Sequence, residues 1–313
     1  MLQINTAERV IGAAAGRGEK HHYIPVFYSR EWTGLDGRLC EYSRPFREVK
    51  PRWTHPDGTG YVRGLYNVPK NDPRLSDFIE RHFLRITDNG AAVVAQQLRN
   101  ERKIDFFSLD RSSWSRFIIS LMLRNPEYVA RMGAEVARFF DSKGRYEERY
   151  HATKRPDDPD TYEEFIAKTV HHPAGPASVY AMQNLIDSPR MGGYLNQMRW
   201  AVVTYKNERH TLLTSDRPII MSNGLIGPSD YLILPIGPRM LFLATNNIET
   251  EDRFRAISAG IFMAQVNNRV VSQARKYVYG TDNTQLRFVE NRLGRMWPSM
   301  PLEPLPVKGL GER

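Results

Sequence analysis

The sequence holds one cysteine, Cys40, in 313 residues. One thiol cannot close a disulfide within the chain, and it cannot supply the several thiolates of a Cys-based zinc site. The usage suits a reducing cytoplasm. No apolar run approaches the roughly 18–20 residues that cross a bilayer, so a membrane is not an expected partner. The opening MLQINTAERVIGAAAGRGEK lacks the early positive charges and long apolar core of a secretory signal and is expected to be a short helix or tail. There is no G-x-G-x-x-G, no Walker loop and no G-x-S-x-G elbow, so phosphate binding by a glycine-rich loop has no support. Internal repeats are lacking too.

What is present suits a folded globular chain. Hydrophobic residues make up 41% and charged residues 25%, enough for a sizeable core without metal or disulfide staples. The net charge is +9. It is spread evenly: 10 basic residues stand against 7 acidic in 1–64, 15 against 12 in 65–150, and 19 against 16 in 151–313. A basic balance favours phosphate-rich partners only if folding gathers the cations on one face.

Along the chain, KHHYIPVFYSREW (20–32) reads as a strand ending near Ile24. Pro25 then starts a short helix ending near Gly34, with Tyr28 and Trp32 on one face. Asp36-Gly37 marks a turn into the strand RLCEYS, and 51–73 reads as loop with at most a short strand. Helical spacing follows from Phe78 to Ile86, with an interruption expected at Asn89-Gly90. Trp114, Phe117, Ile118, Leu121 and Met122 form an apolar stripe, broken at Asn125-Pro126 and resumed over about 127–140. The polar stretch 141–163 is expected to be a long exposed loop. More helix follows to about Gly192, broken at HHPAGPA, where His171 and His172 are expected at the surface. Two strand runs around KNER (206–209) predict one hairpin, and DYLILPIGPRMLFLAT predicts another turning at Gly237-Pro238. A helix over the VNNRVVSQ region precedes Gly280, and the Pro-rich end is expected to be extended. Strand pieces, then helices, then antiparallel strands give an α+β class: a single domain over 21–296, with a central antiparallel sheet packed by the middle helices and tails at 1–20 and 297–313.

Two clusters carry chemistry-bearing residues. In the first, His21 and His22 are adjacent on a strand run-in and so point in different directions. Histidine serves as base, metal ligand or phosphate partner, and equally as a buried, hydrogen-bonded core residue. The His-His-x-x-Pro pattern resembles the first strand of HNH nucleases, but the following FYSREWTGLDGRLCEYSR lacks the Asn and second His of that finger. The second cluster is LLTSDRP (212–218). There a strand ends at Thr214, Ser215 and Asp216, a site for metal or proton transfer or a turn in which Asp and Ser bond nearby amides. Asn267 within the last long helix suggests either an inward polar contact or an ordinary surface position, and Arg124 an anion or helix-end contact.

KHHYIPVFYSREW, DGRLCEY (36–42), GYVRGLY (60–66), RNP (124–126), LLTSDRPII (212–220) and VNNRVVSQARKYVYG (266–280) together resemble a bacterial family of uncharacterised proteins, domain of unknown function 4238. Ser29 stands where such members usually have Leu. The resemblance implies one shared fold over nearly the whole chain and brings no activity with it.

The leading expectation is a cytoplasmic enzyme on a phosphate-containing substrate, nuclease-like or a toxin or defence effector. His21, His22 and Asp216 would be its catalytic residues, and Tyr28, Arg30, Ser215, Arg217 and Asn267 would bind substrate. The sequence names no cofactor; a divalent metal is one that such a site could take. The rival expectation is a non-catalytic module whose arginines and aromatics contact nucleic acid or a protein.

Overall fold

The computed structural model describes residues 19–66, 83–100, 104, 108–141, 143–169, 174–206, 208–222 and 224–295. Except for Glu19, Lys20 and the Phe83–Ile86 end of the first helical stretch, the segments expected at 1–20, 297–313 and 78–86 lie outside these residues, as do His171 and His172.

A short strand β1 (Lys20–His22) pairs with β4 (Tyr61–Arg63). Pro25 caps the helix α1 (Val26–Ser29), which tightens into a 3-10 turn over Arg30–Trp32. The missing N–H and fixed φ of proline suit a helix entry. Gly37, at φ +72°, turns the chain into β2 (Leu39–Ser43). β3 (Lys50–Thr54) follows, so the described residues 51–66 hold parts of two strands, β3 and β4, where the glycine and proline density predicted loop with at most a short strand. The pairing of β3 with β2 outweighs the local turn composition.

The helices are α2 (Arg85–Arg99), α3 (Leu109–Leu123), α4 (Pro126–Asp141), α5 (Lys143–Thr153), α6 (Tyr162–Thr169), α7 (Ala174–Ile186) and α8 (Pro189–Gln197). Ser108 and Ser188 cap α3 and α8 by accepting the N–H of Arg111 and Met191. α2 runs straight through Asn89-Gly90. A Cβ at Gly90 would lie 3.4 Å from Ser113, so the glycine permits close approach to α3 and does not break the helix. The polar stretch after Asp141 also contains a helix, α5, because Tyr150 is buried against Phe165, with ring centroids 4.9 Å apart.

The strands β5 (Arg199–Thr204), β6 (Thr214–Ser215), β7 (Ile220–Met221), β8 (Tyr231–Gly237) and β9 (Met240–Thr245) come next. Helices α9 (Ile248–Ala256) and α10 (Ala259–Gln273), strand β10 (Tyr277–Gly280) and helix α11 (Leu286–Glu290) complete the order. The α+β class holds.

One antiparallel sheet has the order β5-β9-β8-β7 and another the order β3-β2-β10-β6. The β8–β9 hairpin forms as expected. The hairpin expected around KNER does not: β5 pairs with β9, whereas β6 pairs with β10 in the other sheet. The linker between them is tied down by the second hairpin, since Tyr205 N–H donates to Arg239 O and Leu212 N–H to Pro238 O.

Contacts group the chain into two compact units, and the larger, made of His22–Tyr61, Thr87–Asn125 and the chain from Ile186 onward, holds both four-stranded sheets. On one face of the first sheet Ile233, Leu241 and Leu243 pack with Phe254, Phe262 and Val266 of α9 and α10. On the other, Trp114 of α3 meets Phe242 edge-on at 5.6 Å. Coverage on both faces explains why β8 and β9 read as nearly unbroken apolar runs. Beneath the second sheet, Cys40, Tyr42 and Val278 join Val271, Val289 and Leu293.

Candidate functional site

The opening motif is tied to both sheets. The Tyr28 hydroxyl pairs with Thr214 Oγ1 at 2.7 Å and donates to Pro235 O at 2.8 Å, and Trp32 Nε1 donates to Leu212 O at 2.8 Å. Burial holds the Tyr28 phenol well above its ordinary pKa, with the Thr214 bond opposing. His21 is buried, accepts the Tyr66 N–H at Nδ1 and stacks on the Tyr66 ring at 5.2 Å. His22 is half-buried, with Nε2 3.4 Å from Asp57 O and its ring 5.5 Å from that of Tyr61. The two histidines therefore look different ways, as adjacent strand residues do.

Asp216 directly follows β6 and is buried. Its Oδ1 accepts the Arg275 N–H at 2.9 Å, and its Oδ2 accepts those of Lys276 and Tyr277 at 2.6 and 3.1 Å. Three successive amides make a concave anion-binding nest, and here the chain's own carboxylate fills it. Ser215 Oγ accepts the Arg217 N–H, while Gln273 Nε2 donates to Arg217 O and Ile219 O. Asn267 accepts the Leu213 N–H and donates to Thr211 O. Arg30 is exposed beside Glu31. These bonds join β6 to β10 and α10. Among the described residues no cluster of three or more His, Cys, Asp or Glu side chains could hold a metal.

What the Asp216 carboxylate holds in place is one wall of a cleft of about 660 Å³. The rest comes from one face of the β3-β2-β10 sheet, at its Lys50–Ser43–Tyr277 end. Strand alternation puts Lys50 and Arg52 of β3, Ser43 and Glu41 of β2, and Tyr277 and Tyr279 of β10 on one side, in register as Lys50–Ser43–Tyr277 and Arg52–Glu41–Tyr279. Arg44 and Arg275 complete the cationic lining with Lys276. Five cations thus face the cleft against one carboxylate, Glu41.

Four of the five cations have a setting that the structure defines. Arg52 grips Glu41 through two bonds of 3.1 Å, and Thr59, itself 3.0 Å from the Tyr279 hydroxyl, donates to the same carboxylate. The Glu41 bond raises the Arg52 pKa further. Arg44 donates to the backbone carbonyls Leu293 O and Glu290 O. Lys50 pairs with Glu48 at 2.6 Å in an exposed ion pair of small worth. Lys276 is exposed, with Nζ 4.9 Å from the centroid of the half-buried Tyr277 ring.

None of the residues expected to bind substrate lines this cleft. The signal that could have found it lies in 44–52: Arg44, Arg47, Lys50 and Arg52 fall within nine residues, and the last two share strand spacing. Pro51 between them disguised the strand.

Against models of protein families, residues 20–284 match the one described as protein of unknown function, DUF4238. Neither the curated proteins nor the solved structures gave a match.

Proposed function

Since the chain belongs to the DUF4238 family, whose description names no activity, we propose from its own residues that it binds a phosphate-bearing ligand, nucleic acid included, in the cleft over β3, β2 and β10. The observation that carries this reading is the lining: five cations and one carboxylate, the latter already neutralised by Arg52. Phosphate oxygens would find Arg and Lys side chains at the rim and no catalytic carboxylate in the open. Asp216 supports the reading as a positioning residue, because all three amides it binds belong to cleft-lining residues. The same use of both carboxylate oxygens weighs against Asp216 as an acid, base or metal ligand, so binding is preferred to turnover.

The test is a titration of a fluorescein-labelled, mixed-sequence single-stranded oligonucleotide at rising NaCl, read by anisotropy. If three or four of the cations meet phosphates, log K falls against log salt with a slope of about −2 to −3. Reversing two rim charges, Lys50→Glu with Lys276→Glu, is expected to weaken binding at least tenfold. Arg253→Glu, an exposed change on α9 outside the cleft, should leave it within twofold. Equal binding by wild type and the double variant overturns the proposal.

A further inference from the structure

Resting on that reading, we infer that the cleft takes an unpaired phosphorylated nucleoside, with its base stacked on Tyr277 and its phosphates on Arg44, Lys50 and Arg275. A site for phosphate alone needs cations only. This one sets an aromatic ring among them, on the sheet face, directly across the ladder from Ser43 and one strand removed from Lys50.

The ring is held for the purpose. Its neighbour Tyr279 is fully buried and stacks on it with centroids 6.2 Å apart and planes inclined by 27°. Tyr279 is itself fixed through Thr59 and Glu41. The Tyr277 amide is anchored on Asp216. The ring is half-buried, so part of it faces the cleft. Lys276 now lies over it. A cation–π contact at an exposed site is weaker than the stacking of a nucleobase on an aromatic side chain, so an arriving base displaces the ammonium. The freed Lys276 remains within the same cleft, where a phosphate can take it up.

Duplex nucleic acid does not suit this arrangement. Its bases are stacked on one another and only its backbone reaches a sheet face, so Tyr277 would contribute nothing. Inorganic polyphosphate leaves the ring equally unused. Sequence selectivity is not expected, because every base has a face to stack.

The experiment compares three labelled probes on the full chain: a single strand, the same length of abasic strand, and the duplex. The phosphate charge of the first two is equal, so their difference reads the bases. The single strand is expected to bind roughly 5- to 150-fold tighter than the abasic strand. Tyr277→Ala should bring the two together, whereas Tyr277→Phe should keep them apart. The wild-type comparison needs no variant to fold. A nucleoside monophosphate added as competitor tells the source: displacement at concentrations near the protein's marks a free nucleotide, and displacement by strand alone marks a single strand, the base on Tyr277 in both cases. Equal binding of intact and abasic strands overturns this inference and leaves the phosphate cleft standing. No binding of any probe overturns the cleft itself.

Discussion

Replacing Asp216 separates a structural lock from a chemical group. In Asp216→Ala three amides, those of Arg275, Lys276 and Tyr277, lose their acceptor together. A hydrogen bond to a charged partner is worth about 1.5–3 kcal/mol net, and an unmet buried donor about 1–3 kcal/mol. Arg275 is half-buried and Lys276 exposed, so water can satisfy part of the deficit. The expected loss is therefore about 3–5 kcal/mol for Ala, below a simple threefold sum. Asp216→Asn keeps one acceptor oxygen but turns an NH2 group toward the remaining donors, and about 2 kcal/mol is expected. Urea unfolding followed by the fluorescence of the five tryptophans measures both. With an m-value of ~3 kcal/mol/M, the midpoint falls by roughly 1–1.7 M for Ala and by about 0.7 M for Asn. Oligonucleotide binding should weaken in step, because the same amides shape the cleft wall. A midpoint for Ala within about 0.2 M of wild type would refute the reasoning and return Asp216 to the chemical candidates.

Tyr28→Phe removes a hydroxyl bonded to Thr214 and Pro235 and should cost about 1–3 kcal/mol in the same assay, without altering ligand binding at the cleft. Arg124 is fully buried and grips Asp88 through bonds of 3.1 and 2.9 Å, so Arg124→Ala is expected to destabilise by roughly 3 kcal/mol or more. Burial of Cys40 raises its thiol pKa to about 11. Only the thiolate attacks, and native protein at pH 8 holds almost none of it, so a thiol reagent should modify the unfolded chain far faster than the folded one. The pH sign is the same: a raised pKa keeps the native thiol protonated, and stability falls as pH climbs above the unfolded thiol's ordinary value toward 11. Denaturation curves at pH 7 and pH 10 check it.

The α+β class, the Pro25 helix start, the Trp114–Met122 helix and the β8–β9 hairpin were legible because each rests on local spacing. Partner choice was not. Nothing near Thr214-Ser215 says that these two residues pair with β10 and not with β5, since strand period is blind to pairing. Asn89-Gly90 misled because glycine's cost inside a helix is local, whereas its benefit, close approach to Ser113, lies in another element. The same limit hid the cleft. Its cations come from 44–52 and 275–276, and only the β2–β10 ladder brings them together. Asp216 was found by its chemistry, yet its bonds lead to the wall of that cleft.

Strand β3 stands last in its sheet and carries Lys50, Pro51 and Arg52 in succession. An outermost strand ordinarily offers a row of amides on which another chain can crystallise its own backbone. Proline has no amide proton to lend, and two flanking like charges repel a second copy of the same edge. The strand that brings Lys50 and Arg52 to the cleft thus also carries the features that disfavour edge-to-edge pairing with a second copy.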